Sequence, residues 1–101
     1  MLDADYQFTA RLWRWKSAKS SWHFFTLPTD IGQQIRGFQS KQVGFGSVPV
    51  SVTIGETHWK TSLFPDKKAG SYVLPIKAAV RKAEHLKEEG EYAVKIELSI
   101  L

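Results

Sequence analysis

The stretch Val48 to Phe64, VPVSVTIGETHWKTSLF, decides how this chain is read. Val48, Val50, Val52 and Ile54 alternate with Pro49, Ser51 and Thr53, the period of a strand with one buried face. Gly55-Glu56 then supplies a two-residue turn, in which glycine tolerates the positive φ such turns demand. The return strand, Thr57 to about Phe64, places Trp59, Thr61 and Leu63 on one side and His58, Lys60 and Ser62 on the other. Proline cannot donate to a ladder, so Pro49 marks an edge strand or a strand start.

The same period continues outward from this hairpin. Upstream, Tyr6, Phe8, Ala10 and Leu12 alternate with Gln7, Thr9, Arg11 and Trp13. A polar turn, SAKSS from Ser17 to Ser21, leads to a second strand, WHFFTL from Trp22 to Leu27, which Pro28 ends. Thr29 or Asp30 is placed to cap a helix whose stripe is Ile31, Ile35 and Phe38; Gly32 and Gly37 weaken it and predict that it is short. Residues 37–47 read as an irregular loop or a bulged strand entry, with glycines at neither phosphate-loop nor dinucleotide spacing. Downstream, PDKKAG from Pro65 to Gly70 is a charged turn, and Tyr72, Leu74 and Ile76 form a short strand broken by Pro75. A helix is predicted from about Lys77 to Lys87, with Ile76, Val80 and Ala83 at helical spacing and Leu86 at its end. After a tight turn at residues 88–91, Tyr92, Val94, Ile96, Leu98 and Ile100 alternate. The sum is a mainly β chain of about six strands and two short helices, an inventory best satisfied by a small, partly open β-barrel that leaves few edges unpaired.

Composition fits that reading. A chain of 101 residues holds one core, and 43% hydrophobic against 24% charged residues gives enough apolar surface to fill it. Without cysteine there is neither a disulfide framework nor a thiolate metal site. The opening MLDADYQF does not resemble a secretory signal, and no apolar run approaches the roughly 18 residues that span a bilayer. The expectation is a soluble, cytoplasmic protein with no membrane partner. Of the net charge of +4, residues 1–46 carry +3, chiefly through Arg11, Arg14, Lys16 and Lys19.

The run Tyr72 to Leu98, YVLPIKAAVRKAEHLKEEGEYAVKIEL, resembles a unit found in AbrB-type transcription regulators and MazE-type antidotes. The matching positions are Leu74-Pro75, Arg81, Leu86, Gly90-Glu91 and the strand Val94-Lys95-Ile96. A longer pattern, FTARLWRW, WHFFTLP, WKTSLFP and the LPIKAAVRKAEHLKEEGEYAVKIEL tail in that order, resembles the family known as domain of unknown function 1905 over nearly the whole chain. The resemblance implies a double-split β-barrel in a bacterial setting, and no established activity or catalytic residues. Lys67-Lys68 depart from a turn that is more glycine-rich in similar sequences. AbrB-type regulators interlock as dimers, whereas one chain here supplies both halves of a barrel, so monomer and homodimer both stay open.

Chemistry is sparse. His23, His58 and His85 sit on different elements, none at metal-ligand spacing. Ser20, Ser21, Ser47 and Ser62 lie in no nucleophile elbow, and Glu88, Glu89 and Glu91 form a solvated turn. No catalytic set, metal or cofactor is expected. Two constellations remain. Arg11, Trp13, Arg14, Trp15, Lys16 and Lys19, followed by Trp22 and His23, interleave cations with flat rings: a stacking platform for single-stranded nucleic acid, a protein interface, or structural cover for a barrel end. Trp59, Lys60, Thr61 and Ser62, with Lys77 and Arg81 on the following helix, present a ring, hydroxyls and cations suited to a small anionic ligand, or else fill core and surface. The leading expectation is a non-enzymatic binding domain for an anionic ligand or a macromolecular partner. Nucleic-acid binding is second, and a small enzyme acting on an anionic substrate third.

Overall fold

A computed structural model describes residues 5–38 and 46–98, which form seven strands and two helices. The strands are β1 (Asp5–Arg11), β2 (Trp13–Lys16), β3 (Ser21–Thr26), β4 (Val48–Ile54), β5 (Thr57–Asp66), β6 (Ser71–Pro75) and β7 (Glu91–Leu98). The helices are α1 (Thr29–Phe38) and α2 (Ala78–Ala83). The Phe38 side chain, residues 39–45 of the loop expected over 37–47, and Ile100 lie outside the described part, and α1 runs on through Gly37 and Phe38, where that loop was expected to begin. All pairings are antiparallel, in the order β1-β7-β4-β5-β6-β3-β2.

The count exceeds six because the first predicted strand serves two neighbours. Up to Arg11 it pairs with β7, from Asp5 opposite Glu97 to Arg11 opposite Glu91. From Trp13 it pairs with β3. Between them Leu12 turns the corner: its N–H donates to Gly90 O at 2.9 Å and its carbonyl accepts from Glu89 N at 2.7 Å. Strand β5 is shared in the same way, Thr57–Leu63 lying against β4 and Phe64–Asp66 against β6. Two half-sheets result: A (β1, β7, β4 and the start of β5) and B (the end of β5, β6, β3 and β2). Because β1 and β2, the two ends of the sheet order, are consecutive in the chain, the curled sheet is the partly open barrel that the strand inventory required.

Alternation fills the interior as the sequence dictates. Phe8, Val50, Val52, Val94 and Ile96 from half-sheet A join Leu12, Phe25, Leu63 and Leu74 in one buried cluster, with half-buried Tyr6 against it. Each such side chain contributes about 1.5–3 kcal/mol relative to exposure. Pro49 is a strand start, not an edge: β4 is central, and its described pairing with β7 begins one residue later, at Val50 opposite Leu98. Gly55 has φ 57°, the turn conformation expected of it.

The helices depart from expectation for reasons of packing. In α1 the Gly32 N–H donates to Pro28 O at 2.9 Å, so Thr29 and Asp30 lie within the first turn, with Asp30 at the positive end of the helix dipole. Gly32 is a requirement of the fold: a Cβ there would overlap Ser71 Oγ and sit 2.9 Å from Ser71 Cα. Ser71 Oγ is itself fixed, donating to Leu27 O at 2.8 Å. Helix α2 ends at Ala83, short of the predicted Lys87, with His85 at φ 54°. The chain unwinds there to bring Glu89 and Gly90 to Leu12. Ala83 is therefore exposed, while Val80 and Leu86 are buried. No helix among the described residues is long and apolar enough to cross a membrane.

Candidate functional site

The inner positions of half-sheet B are Leu12, His23, Phe25, Leu27, Leu63 and Leu74, all buried. Their alternates point outward and line up in cross-strand rows. Trp15 faces Trp22; Trp13 faces Phe24, which faces Pro75; Thr26 faces Val73, which faces Phe64. The result is a largely aromatic outer face across four strands, with Asp66 opposite Ser71 in the next row at its β5–β6 end. Trp22 is 54% exposed, Trp15 49% and Phe64 46%.

Trp13 is held rather than free. Its Nε1–H donates to Thr26 Oγ1 at 2.9 Å, and its ring lies 5.1 Å from that of Phe24 at 36°. Such a contact adds about 0.5–1.5 kcal/mol beyond area burial. Trp59 packs half-buried against the core. The four tryptophans thus divide: Trp59 to the core, Trp13 to anchoring the face, Trp15 and Trp22 to its solvent side.

Alternation separates Arg14 and Lys16 from these rings, while Arg11 keeps their phase. Arg14 lies opposite His23, on the other side of the hairpin from Trp13 and Trp15, and Lys16, two residues on, shares that side. Arg14 Nε meets Glu88 Oε1 at 3.2 Å, and His23 Nε2 lies 3.5 Å from the same oxygen. His23 is buried, and its Nδ1 has no hydrogen-bond partner among the described residues. Arg11 Nε meets Glu89 Oε1 at 3.3 Å. Glu88 and Glu89, expected only as a solvated turn, partly neutralise the basic cluster. Lys19 is exposed in the turn, where Ser17 Oγ accepts from Ser20 N at 3.2 Å.

The second constellation comes together only in part. Lys60 and Ser62 face outward from half-sheet A, whereas Trp59 and Thr61 face the interior. Trp59 and Lys60 nonetheless both line a depression of about 380 Å³, with Ser51, Thr53, His58, Lys95 and Glu97, where Thr53 Oγ1 and His58 Nδ1 are 2.8 Å apart. Arg81 Nε donates to Ile76 O at 3.4 Å, and Lys77 is exposed just before α2. At the far end of α2, Glu84 Oε2 accepts from Thr57 Oγ1 at 2.6 Å.

Phe24, Phe64, Val73 and Pro75 were not singled out by the sequence reading. One signal was present: WHFFTL is apolar in both phases of its alternation, which one-sided burial does not require.

No curated protein matches this sequence. A family model described as "Domain of unknown function (DUF1905)" matches residues 8–96, from within β1 to within β7, and so takes in both half-sheets and both helices. The chain belongs to the DUF1905 family.

Proposed function

We propose that this chain is a non-enzymatic binding domain whose working surface is the aromatic outer face of half-sheet B, and that its partner is an apolar protein segment with acidic flanks. The observation that carries this is the Trp15–Trp22 cross-strand pair, each ring about half exposed, with Phe64 exposed on the same largely aromatic face. Contiguous apolar surface of this kind is characteristic of interaction sites, and tryptophan is a preferred anchor at their centres.

Charge selects the partner. The rows carry no cation, and Arg11 and Arg14 are already engaged by Glu89 and Glu88, so phosphates would have to compete for them. Lys19 and, from the reverse side of the hairpin, Lys16 lie at one end of the face, and Lys67 and Lys68 lie beside Asp66 at the other, the four lysines exposed and without an ion pair among the described residues. Acidic residues flanking an apolar centre complement that layout. A second copy laid face to face brings lysines against lysines in either direction, which makes it the poorer occupant.

Selection of short random peptides on the folded domain tests this reading, with a Trp15→Ser/Trp22→Ser variant as the counter-selection. Apolar peptides with acidic ends should enrich on the wild type and be lost on the variant. Failure to enrich any, or tighter salt-sensitive binding of a single-stranded oligonucleotide or of anionic vesicles through the same tryptophans, overturns it.

A further inference from the structure

We propose a second binding site, for a small organic anion, in the cleft between α1 and the start of β6. It shares with the aromatic face only the flanking Lys67 and does not depend on that reading. The close approach of Gly32 to Ser71 seats α1 over the sheet. Gln33 and Arg36, one and four positions later, then border a cleft of about 610 Å³ with Tyr72 and Lys67, and Pro65 supplies an apolar wall. That volume lies in the range of small-molecule sites.

Its chemistry is one-sided. Arg36 and Lys67 make no ion pair among the described residues. Gln33 and the Tyr72 hydroxyl add neutral donors. The one carboxylate at the rim, Asp66, is committed to its own turn, Oδ1 accepting from Lys68 N at 3.1 Å and Ala69 N at 3.4 Å. Burial pushes the Tyr72 hydroxyl above its ordinary value while the positive charge of Arg36 pulls it back, so the phenol is neutral at pH 7, a donor within the field of the guanidinium. A guanidinium beside a hydroxyl donor fits a carboxylate or a phosphate monoester, the planar Arg36 head donating to two oxygens at once.

Benzoate and phenyl phosphate, with neutral benzamide as control, test this by titration into the labelled domain while backbone amide resonances are followed. Both anions should shift Gln33, Arg36, Lys67 and Tyr72 saturably at millimolar concentration or below, and benzamide should not. Arg36→Gln, at an exposed position that leaves folding intact, should weaken binding by at least about tenfold. Tyr72→Phe should weaken it by less, and the contrast between the two anions decides whether carboxylate or phosphate is preferred. Shifts that survive in Arg36→Gln, equal shifts with benzamide, or no shift with either anion overturn the site.

Discussion

On half-sheet A the outward side chains of β4, β5 and β7 include Ser51, Thr53, His58, Lys60, Lys95 and Glu97, whereas on half-sheet B they are Trp13, Trp15, Trp22, Phe24, Val73 and Phe64. Both faces belong to one curled sheet with one interior. Half-sheet A follows the usual economy of an antiparallel sheet, apolar inward and polar outward. Half-sheet B is apolar on both sides, and packing within the described chain covers the second side only in part. The difference places the demand for a partner on one face and leaves the other as solvated surface.

The most severe test of the shared interior is truncation from either half. Ile96→Ala in half-sheet A and Leu74→Ala in half-sheet B, both fully buried, should each remove about 2–5 kcal/mol in urea unfolding. Both should do so within a single cooperative transition. Two separable transitions would mean that the half-sheets are independent units and that contrasting their outer faces is misplaced.

The faces themselves separate by binding. Trp22→Ser should change stability by no more than about 1 kcal/mol, since the ring is half exposed, yet weaken a selected peptide by about thirtyfold or more. Lys60→Ala and Thr53→Ala on half-sheet A should alter neither. Equal losses from both faces, read by titration calorimetry, would erase the distinction.

Gly32→Ala sharpens the account of how α1 is seated. In an exposed helix this change gains up to about 1 kcal/mol. Against Ser71 it should instead lose about 1–3 kcal/mol, because the added carbon meets backbone. A rise in melting temperature would refute the close approach.

The smallest expected effect concerns alkaline pH. Tyr72 holds its proton more tightly folded than unfolded, where its value is 10.0, because burial disfavours the phenolate and Arg36 only partly compensates. Its contribution is complete below that pH and is lost as pH rises through the folded value. The wild type should therefore lose stability more steeply above pH 10 than Tyr72→Phe. Parallel slopes in denaturant titrations would remove Tyr72 from the account.

Much of this architecture was legible in the sequence because alternation survives into structure position by position: Val50 and Val52 inward, Ser51 outward, Gly55 at the turn. The corner at Leu12 was not legible. Side-chain phase passes through it unbroken, with Arg11, Trp13 and Trp15 keeping one parity, while only the partner strand changes. The early end of α2 was hidden for a related reason, since the bonds from Glu89 and Gly90 to Leu12 join residues far apart in sequence. The Lys60 set meets only in part, for a reason the sequence did contain: adjacent residues of one strand project to opposite faces of the sheet, so Trp59, Lys60, Thr61 and Ser62 do not all present to one side. Phe64 escaped notice because it lies where β5 passes from one half-sheet to the other, so its exposure depends on a neighbour, β6, that the hairpin alone does not reveal.

The position of β7 between β1 and β4 has a consequence for synthesis. On the ribosome the last of the described strands to emerge must insert between the first strand and a central one, so half-sheet A has only its β4–β5 ladder until residues 91–98 are out. Val50 and Val52 wait until then for Leu98 and Ile96, and Phe8 for Val94. Closure of this domain is therefore a late event, completed only after its full length has left the exit tunnel.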